Sequence, residues 1–248
     1  MAGVMQVDRG DGVRLAFAHT PGADPLIVFL PGYMSDMGGT KALFLEGWAS
    51  ARARAFVRLD YSGCGASGGD FAQGSVRRWA ADARAVIEHV APGDRPLLLV
   101  GSSMGGWVML HLALALGAQV AGLVGVAAAP DVTRWGLALD AADRAALARQ
   151  GFIERPSAYG PQPYRYHRAL LDDAEAACLL DGPVPVAAPV RLLHGLDDGA
   201  VPWEVSLRLL EALGAADVRL TLVKGGDHRL SAPAHLSLLA RTIEELLP

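Results

Sequence analysis

Five residues, Gly101-Ser102-Ser103-Met104-Gly105, carry the clearest chemical signal in this 248-residue chain. A serine hydroxyl is a poor nucleophile at neutral pH. It needs a base to take its proton, and a carboxylate to orient that base. Ser103 has glycines two positions before and two after it. An apolar run, PLLLV, precedes the turn, and a helix-forming stretch, MGGWVMLHLALAL, follows it. Glycines at these places remove the Cβ atoms that would collide in a sharp strand-to-helix turn. The hydroxyl is then lifted beside the free N–H groups at the helix N-terminus. Ser102 has Val100 and Met104 at the matching positions and is the weaker candidate. Ser103 is the expected nucleophile.

Nucleophile, acid and histidine follow one another along the chain when such a turn is catalytic. LLHGLDDGAVPW places Asp197 and Asp198 in a loop after an apolar run, and KGGDHRL places His228 after the last such run. Asp198 is expected to orient and His228 to act as the base. Asp197 stays open as a close alternative acid, and Asp131 as a more distant one. His194 reads as support for its loop. An oxyanion needs two aimed donors. The backbone N–H of Met104 and that of Tyr33, in the PGY turn after LIVFL, are expected to supply them.

The elements that must hold these loops alternate regularly. Strand runs are expected at residues 26–30, 55–60, 96–100, 120–128, 189–195 and 217–223. Helices are expected at about 40–54, 76–90, 104–117, 204–213 and 232–247. Short Val/Leu/Ile runs bounded by Gly and Pro, with helices between them, indicate a parallel sheet covered on both faces. Residues 4–7 and 13–18 read as an antiparallel hairpin at the edge. Residues 131–188 show helical pieces and a Pro- and Tyr-rich stretch with no evident strand, and read as a lid inserted into one domain spanning 1–248. The parallel strands then bring the Ser103, Asp198 and His228 loops to one edge of the sheet.

Composition narrows the function. The net charge is −4 with acids and bases interspersed, which leaves no basic footprint for nucleic acid. Apolar runs are too short to span a membrane. Cys64 and Cys178 form neither a disulfide framework nor a metal motif. The Gly-rich run DYSGCGASGG lacks the phosphate-loop pattern and reads as a turn near the site. No cofactor and no metal are expected. The charged N-terminus does not resemble a signal peptide, so a cytoplasmic protein is expected.

FLPGYMSDMGGTKA, RLDYSGCGASGG, LLVGSSMGGWVMLH, RLLHGLDDGAVPW and GGDHRL together resemble the α/β-hydrolase superfamily. Together they closely resemble the subfamily that includes the mitochondrial palmitoyl-protein thioesterases, also described as acyl-glucuronide esterases, and the resemblance runs from about residue 25 to the C-terminus. It implies an α/β-hydrolase fold, a Ser103–Asp198–His228 triad, oxyanion donors at Tyr33 and Met104, and ester or acyl-thioester substrates. The chain begins at the catalytic domain, so the mitochondrial address is not expected to carry over. Substrates would be small-molecule esters or acyl thioesters carrying a small-to-medium or fatty acyl group, or acylated proteins. Trp107, Trp135, Tyr159 and Tyr164 are candidates to line the pocket, and Arg165 and Arg168 to meet a polar leaving group. Two other readings differ in class: amide or C–C bond hydrolysis on the same fold, and a binding module without catalysis.

Overall fold

The computed structural model describes residues 2–157 and 160–248. Among the described residues ten strands run in chain order: β1 (Met5–Asp8), β2 (Arg14–Thr20), β3 (Ala23–Leu30), β4 (Arg54–Leu59), β5 (Leu97–Ser102), β6 (Val120–Val126), β7 (Phe152–Arg155), β8 (Tyr164–His167), β9 (Val190–Gly195) and β10 (Val218–Val223). The α-helices are α1 (Thr40–Ala51), α2 (Val76–Val90), α3 (Met104–Leu116), α4 (Val132–Trp135), α5 (Ala141–Gln150), α6 (Arg168–Ala177), α7 (Glu204–Ala212) and α8 (Pro233–Glu244).

Eight strands form one sheet in the order β1-β2-β4-β3-β5-β6-β9-β10. β1 and β2 are the expected antiparallel hairpin at one edge, β2 is antiparallel to β4, and the other pairs are parallel. The central strands are apolar throughout because both faces are covered. Side chains alternate between faces along a strand. In β3, Leu26, Val28 and Leu30 join one core with α2, α3 and α7, whereas Ile27 and Phe29 join another with α1 and α8. α3 lies between sheet and neighbours with nine buried residues, and shows no single apolar stripe because little of it faces water.

The segment between β6 and β9 holds α4, α5, the hairpin β7–β8 and α6. The hairpin was not expected. Its strands have only four residues each, FIER and YRYH, carry charge, and pair only with each other. α5 starts at an Asp140–Asp143 capping box and ends at Gly151, whose φ of 79° suits glycine. Two devices fasten the segment. The buried Asp131 carboxylate accepts from Leu179 N at 2.9 Å and Leu180 N at 2.8 Å, joining its beginning to its end. The Ala177 carbonyl accepts from Trp107 Nε1 at 2.9 Å and lies 2.8 Å from His111 Nε2, tying α6 to α3.

Candidate active site

Ser103 sits at φ 54°, ψ −122°, between β5 and α3. A non-glycine residue held there stores on the order of 1–3 kcal/mol of strain, so its surroundings must impose the shape. Ser103 N donates to Val126 O at 2.9 Å, and its carbonyl accepts from Gly106 N at 2.8 Å and Ala129 N at 3.0 Å. The flanking glycines are steric requirements. A Cβ on Gly101 would stand 2.5 Å from Gly105 O, and one on Gly105 would stand 2.2 Å from Leu30 O.

Three side chains from distant parts of the chain meet here. Ser103 Oγ lies 3.0 Å from His228 Nε2, and His228 Nδ1 lies 2.8 Å from Asp198 Oδ2. The other carboxylate oxygen accepts from Ala200 N at 2.8 Å and Val201 N at 2.9 Å. Burial pushes the Asp198 carboxyl up, but hydrogen bonds from His194 and His228 outweigh it and hold the group well below the usual carboxylate range. Asp198 is therefore an anion beside an imidazole that faces a hydroxyl. Such a relay can move the serine proton onto the imidazole as a bond forms at Oγ.

The alternative acids are placed elsewhere. Asp197 is exposed, and its N–H donates to Gly226 O at 2.9 Å. Asp131 spends its carboxylate on Leu179 and Leu180. Tyr33 and Met104 both border the cavity next to Ser103. Gly32 lets the Tyr33 loop approach closely, because a Cβ there would stand 3.3 Å from Ser103 Cβ.

Sequence reasoning missed two parts of this arrangement. Gly195 and Gly226 knit the Asp198 and His228 loops together, since a Cβ on Gly195 would stand 2.1 Å from Gly226 O. The doubled glycine in KGGDH was the available signal. Lys41 on α1 lines the same cavity and donates from Nζ to the Arg229 carbonyl at 2.5 Å. Burial pushes its ammonium down to about 8.

The cavity over Ser103 measures about 550 Å³. Tyr33, Tyr164, Tyr166 and Val132 contribute apolar surface, and Lys41, Arg229, Ser231 and Gln162 contribute polar groups. Tyr164 lines this cavity. Trp107 does not: it is fully buried in the core, with its Nε1 committed to Ala177 O. Four positions past the serine is about one helical turn, so α3 carries Trp107 roughly 6 Å along its axis away from the sheet edge and into the packed interior. Trp135 is also absent from the wall; it packs on Val201 and Val205 and donates to Pro130 O at 2.7 Å. Tyr159 lies outside the described residues. Arg165 pairs with Glu154, and Arg168 donates to Leu147 O, both away from the cavity. The Cys64 thiol, buried beneath the Tyr33 loop, is pushed up to about 12 by burial, which leaves it unreactive.

Tyr33 does more than border the site. Its ring stacks on Tyr166 with centroids 5.0 Å apart and planes 2° apart, and its hydroxyl donates to the Arg165 carbonyl. Burial, then Tyr166, pushes this phenol up, so it keeps its proton for that bond. The loop after β3 is thereby clamped to the β7–β8 hairpin.

A mostly parallel eight-stranded sheet, with a strained serine at the end of its fifth strand, defines a class. The sequence pattern of the Alpha/beta hydrolase family spans residues 27–241, and the chain belongs to that family. It is 40% identical over 244 residues to the mouse protein named palmitoyl-protein thioesterase ABHD10, mitochondrial, covering 97% of this chain and 81% of that one. A putative hydrolase from Agrobacterium vitis S4 superposes with a TM-score of 0.92 at 39% identity, covering 100% of this chain and 99% of that one. The mouse alpha/beta hydrolase domain-containing protein 10 superposes with a TM-score of 0.90 at 39% identity, covering 99% and 98%. Family and fold agree with the hydrolase class expected from the motifs. They overturn the cytoplasmic expectation, because the mouse, bovine and human relatives, 38–40% identical, are named mitochondrial. Among the described residues no helix is long and apolar enough to cross a membrane.

Proposed function

We propose that this protein hydrolyses acyl thioesters and carboxylic esters through an acyl-enzyme on Ser103. The observation that carries the reading is the unbroken relay from Ser103 Oγ through His228 to the Asp198 anion. Ser103 Oγ attacks the acyl carbon while His228 Nε2 takes its proton. The carbonyl oxygen becomes an oxyanion facing the backbone N–H groups of Met104 and Tyr33. As the C–S or C–O bond breaks, His228 returns the proton to the departing thiolate or alkoxide. Water then repeats the sequence on the acyl-serine, releasing a carboxylic acid and restoring the serine.

The thioester preference draws on the mouse relative's name, palmitoyl-protein thioesterase. Residues 131–188 act as the lid over the cavity, and Tyr164 and Tyr166 from their hairpin form part of its wall. Small thioesters and acylated proteins are the proposed substrates. Amide or C–C hydrolysis would use the same relay, whereas a non-catalytic module would have no use for it.

The test is an acyl-chain and leaving-group profile of thioesters and oxygen esters on wild type and Ser103→Ala, alongside labelling by a fluorophosphonate. Hydrolysis and labelling present in wild type and absent in Ser103→Ala are expected. Folded wild type inert toward every acyl ester and thioester would overturn the reading.

A further inference from the structure

The site contains a second imidazole that the relay does not use. His194, the penultimate residue of β9, is fully buried. Its Nε2 lies 3.1 Å from Asp198 Oδ2 and 3.0 Å from the Val201 carbonyl, and its Nδ1 lies 2.7 Å from Ser206 Oγ on α7. Both neighbours of Nε2 are acceptors without a hydrogen to give, so Nε2 must carry the hydrogen. Nδ1 then accepts from the Ser206 hydroxyl, which is itself buried. Every polar atom of the ring is satisfied without a charge, and the surroundings select one tautomer.

We infer that His194 is a positioning residue for hydrolysis: its Nε2–H, set by Ser206 and Val201, locks the Asp198 carboxylate in the orientation that presents His228 to Ser103. This rests on the triad reading above. Asp198 then accepts hydrogen bonds from His228 on Oδ2 and from Ala200 N and Val201 N on Oδ1, and its Oδ2 shares the single His194 Nε2–H with the Val201 carbonyl. A carboxylate so held cannot rotate without breaking two or more of them. The His194 donor also draws charge from Asp198 and so moderates how strongly the carboxylate holds a protonated His228. Among the described residues, other charged groups around this cluster include Asp197 beside Asp198, Asp227 and Arg229 beside His228, and Lys41 on the Arg229 carbonyl.

The test compares His194→Asn, His194→Gln and Ser206→Ala with wild type by pH–rate profiles on one acyl thioester, with active sites counted by a fluorophosphonate. A glutamine amide reaches the Nε2 position, whereas an asparagine amide stops at the Nδ1 position. His194→Asn is expected to lower kcat per labelled site about a hundredfold with little change in KM, a loss on the scale of a small misplacement. Its acid limb should move to higher pH, because Asp198 holds the His228 proton more tightly. His194→Gln should recover most of the rate and the wild-type limb. Should His194→Asn not fold, Ser206→Ala is read in the same way, with a several-fold fall in rate and a limb shift in the same direction. An unmoved acid limb, with rates that scale only with the number of labelled sites, overturns the inference. Wild type that fails to label at all would instead defeat the triad reading.

Discussion

At Ser103 the chain accepts strain so that one hydroxyl stands clear of the sheet, and Gly105 shows how little room remains around it. A methyl group there would meet two backbone oxygens, those of Leu30 at 2.2 Å and Pro31 at 2.5 Å, and neither can swing aside as a side chain would. Gly105→Ala is therefore expected to destabilise the protein by about 1–3 kcal/mol, the usual cost of overpacking. Because the displaced atoms belong to the turn at Ser103 and to the Pro31–Tyr33 loop that borders it, kcat should fall about a hundredfold as well. Urea unfolding and steady-state kinetics check the two effects separately. Gly47→Ala, inside α1 with no atom within 4 Å of the added Cβ, is the control: it should leave kcat unchanged and, by removing a mid-helix glycine, stabilise the protein by about 0.5–1 kcal/mol.

At the scale of elements, the segment between β6 and β9 is held by packing of α6 into the core and by a set of polar bonds. Asp131 is the principal one, since its carboxylate satisfies two consecutive N–H groups. Asp131→Ala would leave both without that acceptor, with an expected loss of about 2–4 kcal/mol. Asp131→Asn keeps one acceptor oxygen and tolerates the left-handed backbone at φ 54°, so it should lose less. Hydrogen exchange at residues 178–181 should rise in the alanine variant before the sheet amides do. The Tyr33–Tyr166 stack is a further fastening. Tyr166→Ala should speed proteolytic cleavage in the β7–β8 hairpin and lower kcat, because the Tyr33 loop loses the ring that steadies it. Limited proteolysis beside kinetics reads both.

For the molecule as a whole, acid stability divides between two buried carboxylates of opposite sign. Asp198 is held below its ordinary 3.8 in the folded chain. The unfolded chain therefore binds the proton first as pH falls, and this stabilisation, full above the ordinary value, is lost below it. Asp60 accepts from Met37 N at 2.7 Å and Ala66 N at 2.8 Å, yet burial pushes its carboxyl up. Its contribution runs the other way, present in acid and lost as pH rises through the raised value. The stability difference between wild type and Asp198→Asn should accordingly shrink from about pH 6 to about pH 3. Urea midpoints across that range test it, and a difference that grew with acidity would refute the assignment of sign.

The sequence by itself determined the alternation of strands and helices, the edge hairpin, the elbow at Ser103 and the order of Asp198 and His228. These depend on local patterning and on turn chemistry, which neighbouring residues specify. It left Asp198, Asp197 and Asp131 as competing acids. Only the tertiary structure separated them, because the distinction is where each carboxylate finds its donors: His228 and His194 for Asp198, the returning end of the inserted segment for Asp131. The same holds for Trp107, Tyr33 and Lys41. Their positions relative to the site depend on packing between elements far apart in the chain, as in the bond from Lys41 to the carbonyl of Arg229. Ser103 is legible as the candidate nucleophile from five residues, whereas its 3.0 Å contact with His228 exists only because the sheet brings two loops 125 residues apart to one edge.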